Sequence, residues 1–208
     1  MKRQCFLRPM LQKPAKRFES SIGKTQIIGR NYFPKMLKLQ PNLRFQILLK
    51  ILLNHFEFMT KKVRVTKQFT FETGHALYGY DGLCKNVHGH SYKLDVTVIG
   101  SPIEDNTHVK NGMVIDFSDL KKIVKQEVVD PFDHATVLNV SSPHKAIAEE
   151  MESRGHKIVK VNYQPTSEMM ILDFAEKINA QLPKQIKLHS LKLRETETAF
   201  AQWFAKDN

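Results

Sequence analysis

The sequence predicts an α+β protein, an antiparallel four-stranded sheet with two main helices on one face. Three observations point there. Apolar and polar residues alternate near 62–72, 88–99, 188–195 and 198–204, which is the period of a half-buried strand. Two stretches, 118–129 and 165–181, instead repeat apolar residues at helical spacing. The order strand, strand, helix, small insert, helix, strand, strand has neither a glycine-rich phosphate loop nor a βαβ rhythm, which argues against a nucleotide-binding α/β enzyme.

Taken in order, Val63, Val65, Phe69 and Phe71 define the first strand. Asp81-Gly82 marks a loop over 79–85. The second strand carries Tyr92, Leu94, Val96 and Val98 on one face and stops at Gly100-Ser101-Pro102. Residues 113–117 read as a short extended piece. Asp116 or Ser118 can cap the first helix, whose apolar stripe is Leu120, Ile123, Val124 and Val128. Asp130-Pro131 is expected to stop it, because a residue before proline disfavours the helical region. A short helix over 146–153 ends at Gly155, and 157–163 reads as a short strand. Pro165-Thr166-Ser167-Glu168 opens the second long helix, with Met170, Ile171, Phe174 and Ile178 on one face. Glu168 there reads as an acid favoured by the helix dipole.

The formal net charge of +11 suggests nucleic acid until it is divided along the chain. Residues 1–58 hold 12 Lys+Arg against 2 Asp+Glu, whereas residues 59–208 hold 20 against 19. The excess belongs to a basic leader, and the body loses its nucleic-acid signal. The leader is acid-poor and interrupted by Pro9, Pro14, Pro34 and Pro41. It is expected to be unstructured or non-native, with Met59 as the biological start; a targeting presequence is the other reading. One short helix is expected over 40–56. Two cysteines, Cys5 and Cys84, make no disulfide framework and fit a reducing, cytoplasmic setting. No apolar run is long enough for a membrane span.

The chemistry concentrates around three histidines. His88 and His90 open a strand two residues apart, so they share a face, and His75 ends the preceding strand. Three imidazole nitrogens suit a catalytic zinc with one open position; copper and iron fit the same ligands. Gly89 is expected to let the backbone bend beneath the ion. Cys84, four positions before His88, lies in a polar loop, where a nearby cation favours the thiolate. It reads as a proton-transfer group, against the alternative of a small buried residue. Asp133-His134 has two readings: a carboxylate that fixes an imidazole tautomer for proton transfer, or a helix-end cap beside a solvated histidine. Glu195 follows Leu191 and Leu193 on one strand face. It reads as a buried acid facing a planar donor array, or as a strand-end carboxylate in water.

These motifs together resemble the 6-pyruvoyltetrahydropterin synthase family. The marks are Phe71-Glu72-Thr73-Gly74-His75, the run from Cys84 to His90, Gly112-Met113-Val114-Ile115-Asp116-Phe117, Phe132-Asp133-His134, Pro165-Thr166-Ser167-Glu168 and Arg194-Glu195-Thr196. The spacing from Cys84 to His88 is similar to that of the bacterial branch that forms 6-carboxytetrahydropterin. Two segments depart from the family pattern. Residues 1–58 have no counterpart in it, and 141–163 looks like an insertion. Phe132 also stands where leucine is more usual.

The resemblance implies the tunnelling fold, a homohexamer whose joined sheets form a barrel, and active sites at subunit interfaces. It implies zinc on His75, His88 and His90, a catalytic Cys84 with Asp133 and His134 as proton-relay partners, and a pterin ring held by Glu195. The implied reaction is a carbon–carbon lyase step on 7,8-dihydroneopterin triphosphate that yields 6-carboxytetrahydropterin, acetaldehyde and triphosphate, on the way to queuosine. The rivals are a synthase that stops at the 6-pyruvoyl product, a zinc-binding module without catalysis, and RNA binding by the leader.

Overall fold

The computed structural model describes residues 40–59 and 61–208. The chain divides into two units, Met1–Glu57 and Phe58–Asn208. The described part of the first belongs to helix α1, which runs Pro41–Met59 over the stretch where a short helix is expected. The expectations for residues 1–39 lie outside the described residues.

The second unit is a six-stranded mixed sheet with helices packed against it. Its strands are β1 (Val63–His75), β2 (His88–Gly100), β3 (Ala135–Asn139), β4 (Ile158–Val161), β5 (Lys187–Arg194) and β6 (Phe200–Phe204), in the spatial order β4-β3-β1-β2-β5-β6. The four expected strands are β1, β2, β5 and β6, and they do pair antiparallel. The four-stranded, wholly antiparallel description is nevertheless too small, since β3 and β4 add two parallel pairings beyond β1. The stretch 157–163 becomes β4, but nothing in the sequence marks β3. Its five residues run buried, half-buried, buried, buried, half-buried, so no clean alternation reaches the sequence.

Helix α2 (Phe117–Val124) is capped by Asp116, whose Oδ1 accepts from the Ser118 N–H at 2.7 Å. Residues 113–117 form no strand, because the chain is already turning into this cap. Asp130-Pro131 does not end the helical path as expected. The chain widens into a π-helical turn (Lys125–Val129) and continues as α3 (Asp130–Phe132). Pro131 thus falls in the first turn of α3, where a missing N–H costs nothing. Helix α4 (His144–Ser153) starts two residues earlier than expected, and α5 (Ser167–Gln181) begins at its expected place with Thr166 as cap.

The main core lies between the sheet and α2, the π turn and α5. Phe71, Tyr92, Leu94, Leu191 and Leu193 come from the strands; Leu120, Val128, Met170, Phe174 and Ile178 come from the helical side. The Phe71 ring stacks on Tyr92 at 5.5 Å, and Phe174 meets Phe132 edge-on at 4.8 Å. Each such burial contributes about 2 kcal/mol. Phe132 is therefore a core residue, which is compatible with its large ring in that position.

Candidate metal centre and active site

The β1–β2 pairing assembles the three histidines. Its register runs from Val63↔Gly100 to His75↔His88, so His75 and His88 stand opposite each other and His90, opposite Thr73, lies two pairs inward. Opposed residues share a face, as do His88 and His90. The ring centroids lie 4.5 Å (His75–His88), 5.2 Å (His75–His90) and 4.9 Å (His88–His90) apart. One ring nitrogen of each lies within 4.8 Å of the others, a separation at which all three can hold one ion.

Hydrogen bonding selects the nitrogens. His75 Nδ1 contacts the Pro165 carbonyl at 2.6 Å, and His88 Nδ1 contacts the Asn86 carbonyl at 2.9 Å. A carbonyl only accepts, so each Nδ1 carries the proton and each neutral ring keeps its lone pair on Nε2. The Nε2 atoms of His75, His88 and His90 are all buried, and none has a hydrogen-bond partner. Three orphaned, converging lone pairs fit a divalent metal. Burial is the main influence that lowers the His75 and His90 basicities below the usual histidine range, against the raising effect of nearby Glu195. Both rings are held in the neutral form that ligates metal.

Glu195 closes one side of this centre. Its Oε1 lies 3.4 Å from Nε2 of both His75 and His90, close in distance but without hydrogen-bond geometry. Tyr92 donates its phenol O–H to the same oxygen at 3.1 Å. Burial, then the Glu195 charge, pushes the Tyr92 phenol far above its ordinary range, so it stays a donor. The carboxylate expected at the end of β5 is thus aimed at the histidines and is not simply in water. Sequence reasoning missed Tyr92 as a polar member of the site. It also missed Ser167, whose buried hydroxyl at the start of α5 acts on the Tyr92 phenol. The available signal was the Pro165-Thr166-Ser167 run, which reads only as a helix opening. Glu168 itself is exposed in the first turn of α5.

Gly89 has a different role from the expected bend beneath the ion. A Cβ there would come within 3.3 Å of the Thr73 carbonyl, and one on Gly74 within 3.2 Å of the His88 carbonyl. The Gly74↔Gly89 pair lets β1 and β2 approach closely where they carry the histidines.

Cys84 is half-buried on a single 3₁₀ turn (Leu83–Lys85) in the loop between β1 and β2. The loop is tied down by Leu77 N–H to the Cys84 carbonyl at 2.9 Å and by Gln164 Nε2 to the Tyr78 carbonyl at 2.8 Å. The Tyr78 ring also meets His144 of α4 edge-on at 5.3 Å.

Asp133 and His134 are held elsewhere. Asp133 Oδ1 accepts from the Glu72 N–H at 2.9 Å, and the His134 N–H donates to the Glu72 carbonyl at 2.6 Å. The His134 side chain is 79% exposed, 4.0 Å from Asp133, and lines a cavity of about 340 Å³ with Glu72, Thr73, Gly74, Gly89, His90 and Ser91. Glu72, Gly74, Gly89 and Ser91 alternate with the histidines along their strands, while His90 and its partner Thr73 bring one edge of the histidine cluster to the same cavity. Among the described residues, no contact joins Cys84 to Asp133 or His134. The structure thus brings His75, His88, His90 and Glu195 together, sets Cys84 in the adjoining loop, and places His134, out of contact with Cys84, at a cavity that it shares with His90.

The family model described as 6-pyruvoyl tetrahydropterin synthase matches residues 64–206. A 6-carboxy-5,6,7,8-tetrahydropterin synthase of Haemophilus influenzae is 35% identical over 141 residues, covering 67% of this chain and 97% of that protein. One from Rickettsia typhi is 30% identical over 143 residues, covering 67% and 99%. A Dictyostelium discoideum 6-pyruvoyl tetrahydrobiopterin synthase is 31% identical over 105 residues, covering 46% and 74%. Among solved structures, Plasmodium falciparum 6-pyruvoyl tetrahydropterin synthase shares the fold at a TM-score of 0.51 and 22% identity, over 69% of this chain and 98% of that one. An uncharacterized Wolinella succinogenes protein does so at 0.56 and 19%, over 70% and 99%.

Proposed function

Because this chain belongs to the 6-pyruvoyl tetrahydropterin synthase family, we propose that it is a zinc-dependent lyase acting on 7,8-dihydroneopterin triphosphate. With one water, the products are 6-carboxy-5,6,7,8-tetrahydropterin, acetaldehyde and triphosphate, a step toward queuosine and related 7-deazapurines. The observation that carries this reading is the set of three buried, unpartnered Nε2 atoms beside the loop that bears Cys84. The names of the Haemophilus and Rickettsia relatives support the carboxy-forming outcome.

His75, His88 and His90 hold the zinc, which when bound supplies Lewis-acid stabilisation of negative charge on the substrate side chain. Glu195 accepts from the donor edge of the pterin ring and orients it, with Tyr92 steadying the carboxylate. Cys84 and His134 move protons between side chain and ring, and Asp133 orients His134. The ring gains its reducing equivalents from its own side chain, so no nicotinamide is needed.

We take the assembly to be a homohexamer in which a neighbour's pair completes each site, since among the described residues no contact joins Asp133 or His134 to Cys84 in their own chain. Residues 59–208 carry the activity and residues 1–58 are a leader. No described helix is long and apolar enough to cross a membrane. We place the protein in the cytoplasm, where the free thiol at Cys84 stays reduced.

The test is to incubate zinc-loaded protein with dihydroneopterin triphosphate and assay acetaldehyde together with product mass. Triphosphate release without acetaldehyde would favour the 6-pyruvoyl outcome, the activity named for the Dictyostelium relative. Glu195→Gln should raise the Kd for the pterin by roughly tenfold, as expected for the loss of a charge-assisted bond, while zinc content stays unchanged. Calorimetric titration with a non-reactive pterin checks this, and an unchanged affinity would remove Glu195 as the ring anchor.

A further inference from the structure

The turn that presents His134 is braced from outside the recognised motifs. At the end of α3 the backbone carbonyls lack helical partners, as at every helix C-terminus. The Phe132 carbonyl accepts from Thr73 Oγ1 at 2.9 Å. The Asp130 and Asp133 carbonyls both accept from one ammonium, Lys157 Nζ, at 2.6 and 2.7 Å. A cation is favoured at this negative end of the helix. Immediately afterwards His134 adopts φ 57°, a left-handed conformation uncommon for a residue with a side chain. Lys157 arrives there through the sheet: its carbonyl accepts from the Thr136 N–H at 3.0 Å, and β4 pairs parallel with β3 starting at Thr136↔Ile158.

We infer that Lys157 is a positioning residue for His134, clamping the two carbonyls so that the left-handed turn holds the imidazole in place. This rests on the proposal that His134 moves a proton. It also gives part of the stretch 141–163 a task, since β4 delivers the clamp to the catalytic turn. Lys157 touches neither substrate nor metal in this scheme, and it acts only through His134.

The test compares Lys157→Met, Lys157→Arg, His134→Ala and the double variant Lys157→Met/His134→Ala in the full-length, zinc-loaded protein with dihydroneopterin triphosphate. Lys157→Met should lower kcat by about tenfold, as a small misplacement of a catalytic group does, with KM and zinc content unchanged. Lys157→Arg, which can still donate to both carbonyls, should recover most of that loss. In the His134→Ala background Lys157→Met should have no further effect, because the residue it positions is gone. A parental kcat in Lys157→Met, or the same tenfold loss repeated in the His134→Ala background, would overturn the inference and leave the proposed function standing. A parental kcat in His134→Ala would instead remove the relay assignment and this inference with it. Should Lys157→Met fail to fold, Lys157→Gln takes its place; failure of both would make Lys157 a folding residue and overturn the inference.

Discussion

Replacing His88 by alanine is expected to abolish metal binding and turnover together. Of the three ligands, His88 is the most informative to remove. His75 is 2% exposed and packed against the core, so its loss would mix stability with chemistry. His88 is half-buried at the open end of β2, and its Nδ1 bond is to a local carbonyl, Asn86. The variant should therefore fold. Two remaining imidazoles are a poor zinc site, so affinity should fall by more than about 100-fold, beyond what loss of an outer-shell partner costs. Turnover should fall by roughly 10³-fold, about 4 kcal/mol of lost charge stabilisation. Elemental analysis of the purified variant and steady-state assay check the two effects. A full equivalent of zinc in His88→Ala would contradict the ligand set.

Cys84→Ala is expected to separate metal from chemistry. The thiol lies in the loop beside the histidines and, among the described residues, no hydrogen bond of its side chain holds the fold, so zinc content and pterin affinity should stay at parental levels. The rate should drop by about 10²- to 10⁴-fold, the range for losing a positioned acid–base group. Single-turnover measurement with saturating substrate reads this directly. A parental single-turnover rate would leave a metal-binding module without thiol chemistry as the better description.

The three-histidine cluster is legible in the residues because every step that builds it is local. A strand alternates with period two, His88 and His90 are two apart, and a loop of twelve residues returns the chain from His75 to His88. The helices were legible for the same reason: Asp116 and Thr166 cap them, and their apolar stripes repeat within a few residues. Cys84 fell beside the site because it is tethered to His88 by a short segment.

Long-range pairing hid the remainder. Glu195 reaches the histidines only because β5 lies against β2, a contact across a hundred residues that alternation alone does not register. Pro165, which fixes the His75 tautomer, lies 90 residues away from it. The stop expected at Pro131 failed because a π turn moved the proline into a first-turn position. Asp133-His134 can be read two ways from the chain, and the fold ties it to the Glu72 backbone, with His134 at a cavity that also reaches His90.

Short-range periodicity and capping settle which residues alternate, which repeat helically and which imidazoles must share a strand face, since these depend on backbone geometry over a few residues. Folding alone decides the order of six strands, the parallel addition of β3 and β4, and the meeting of Glu195, Tyr92 and Ser167 around the histidines. Those arrangements follow from how the whole apolar surface is buried at once, a balance of core packing and chain-closure entropy that no local window contains.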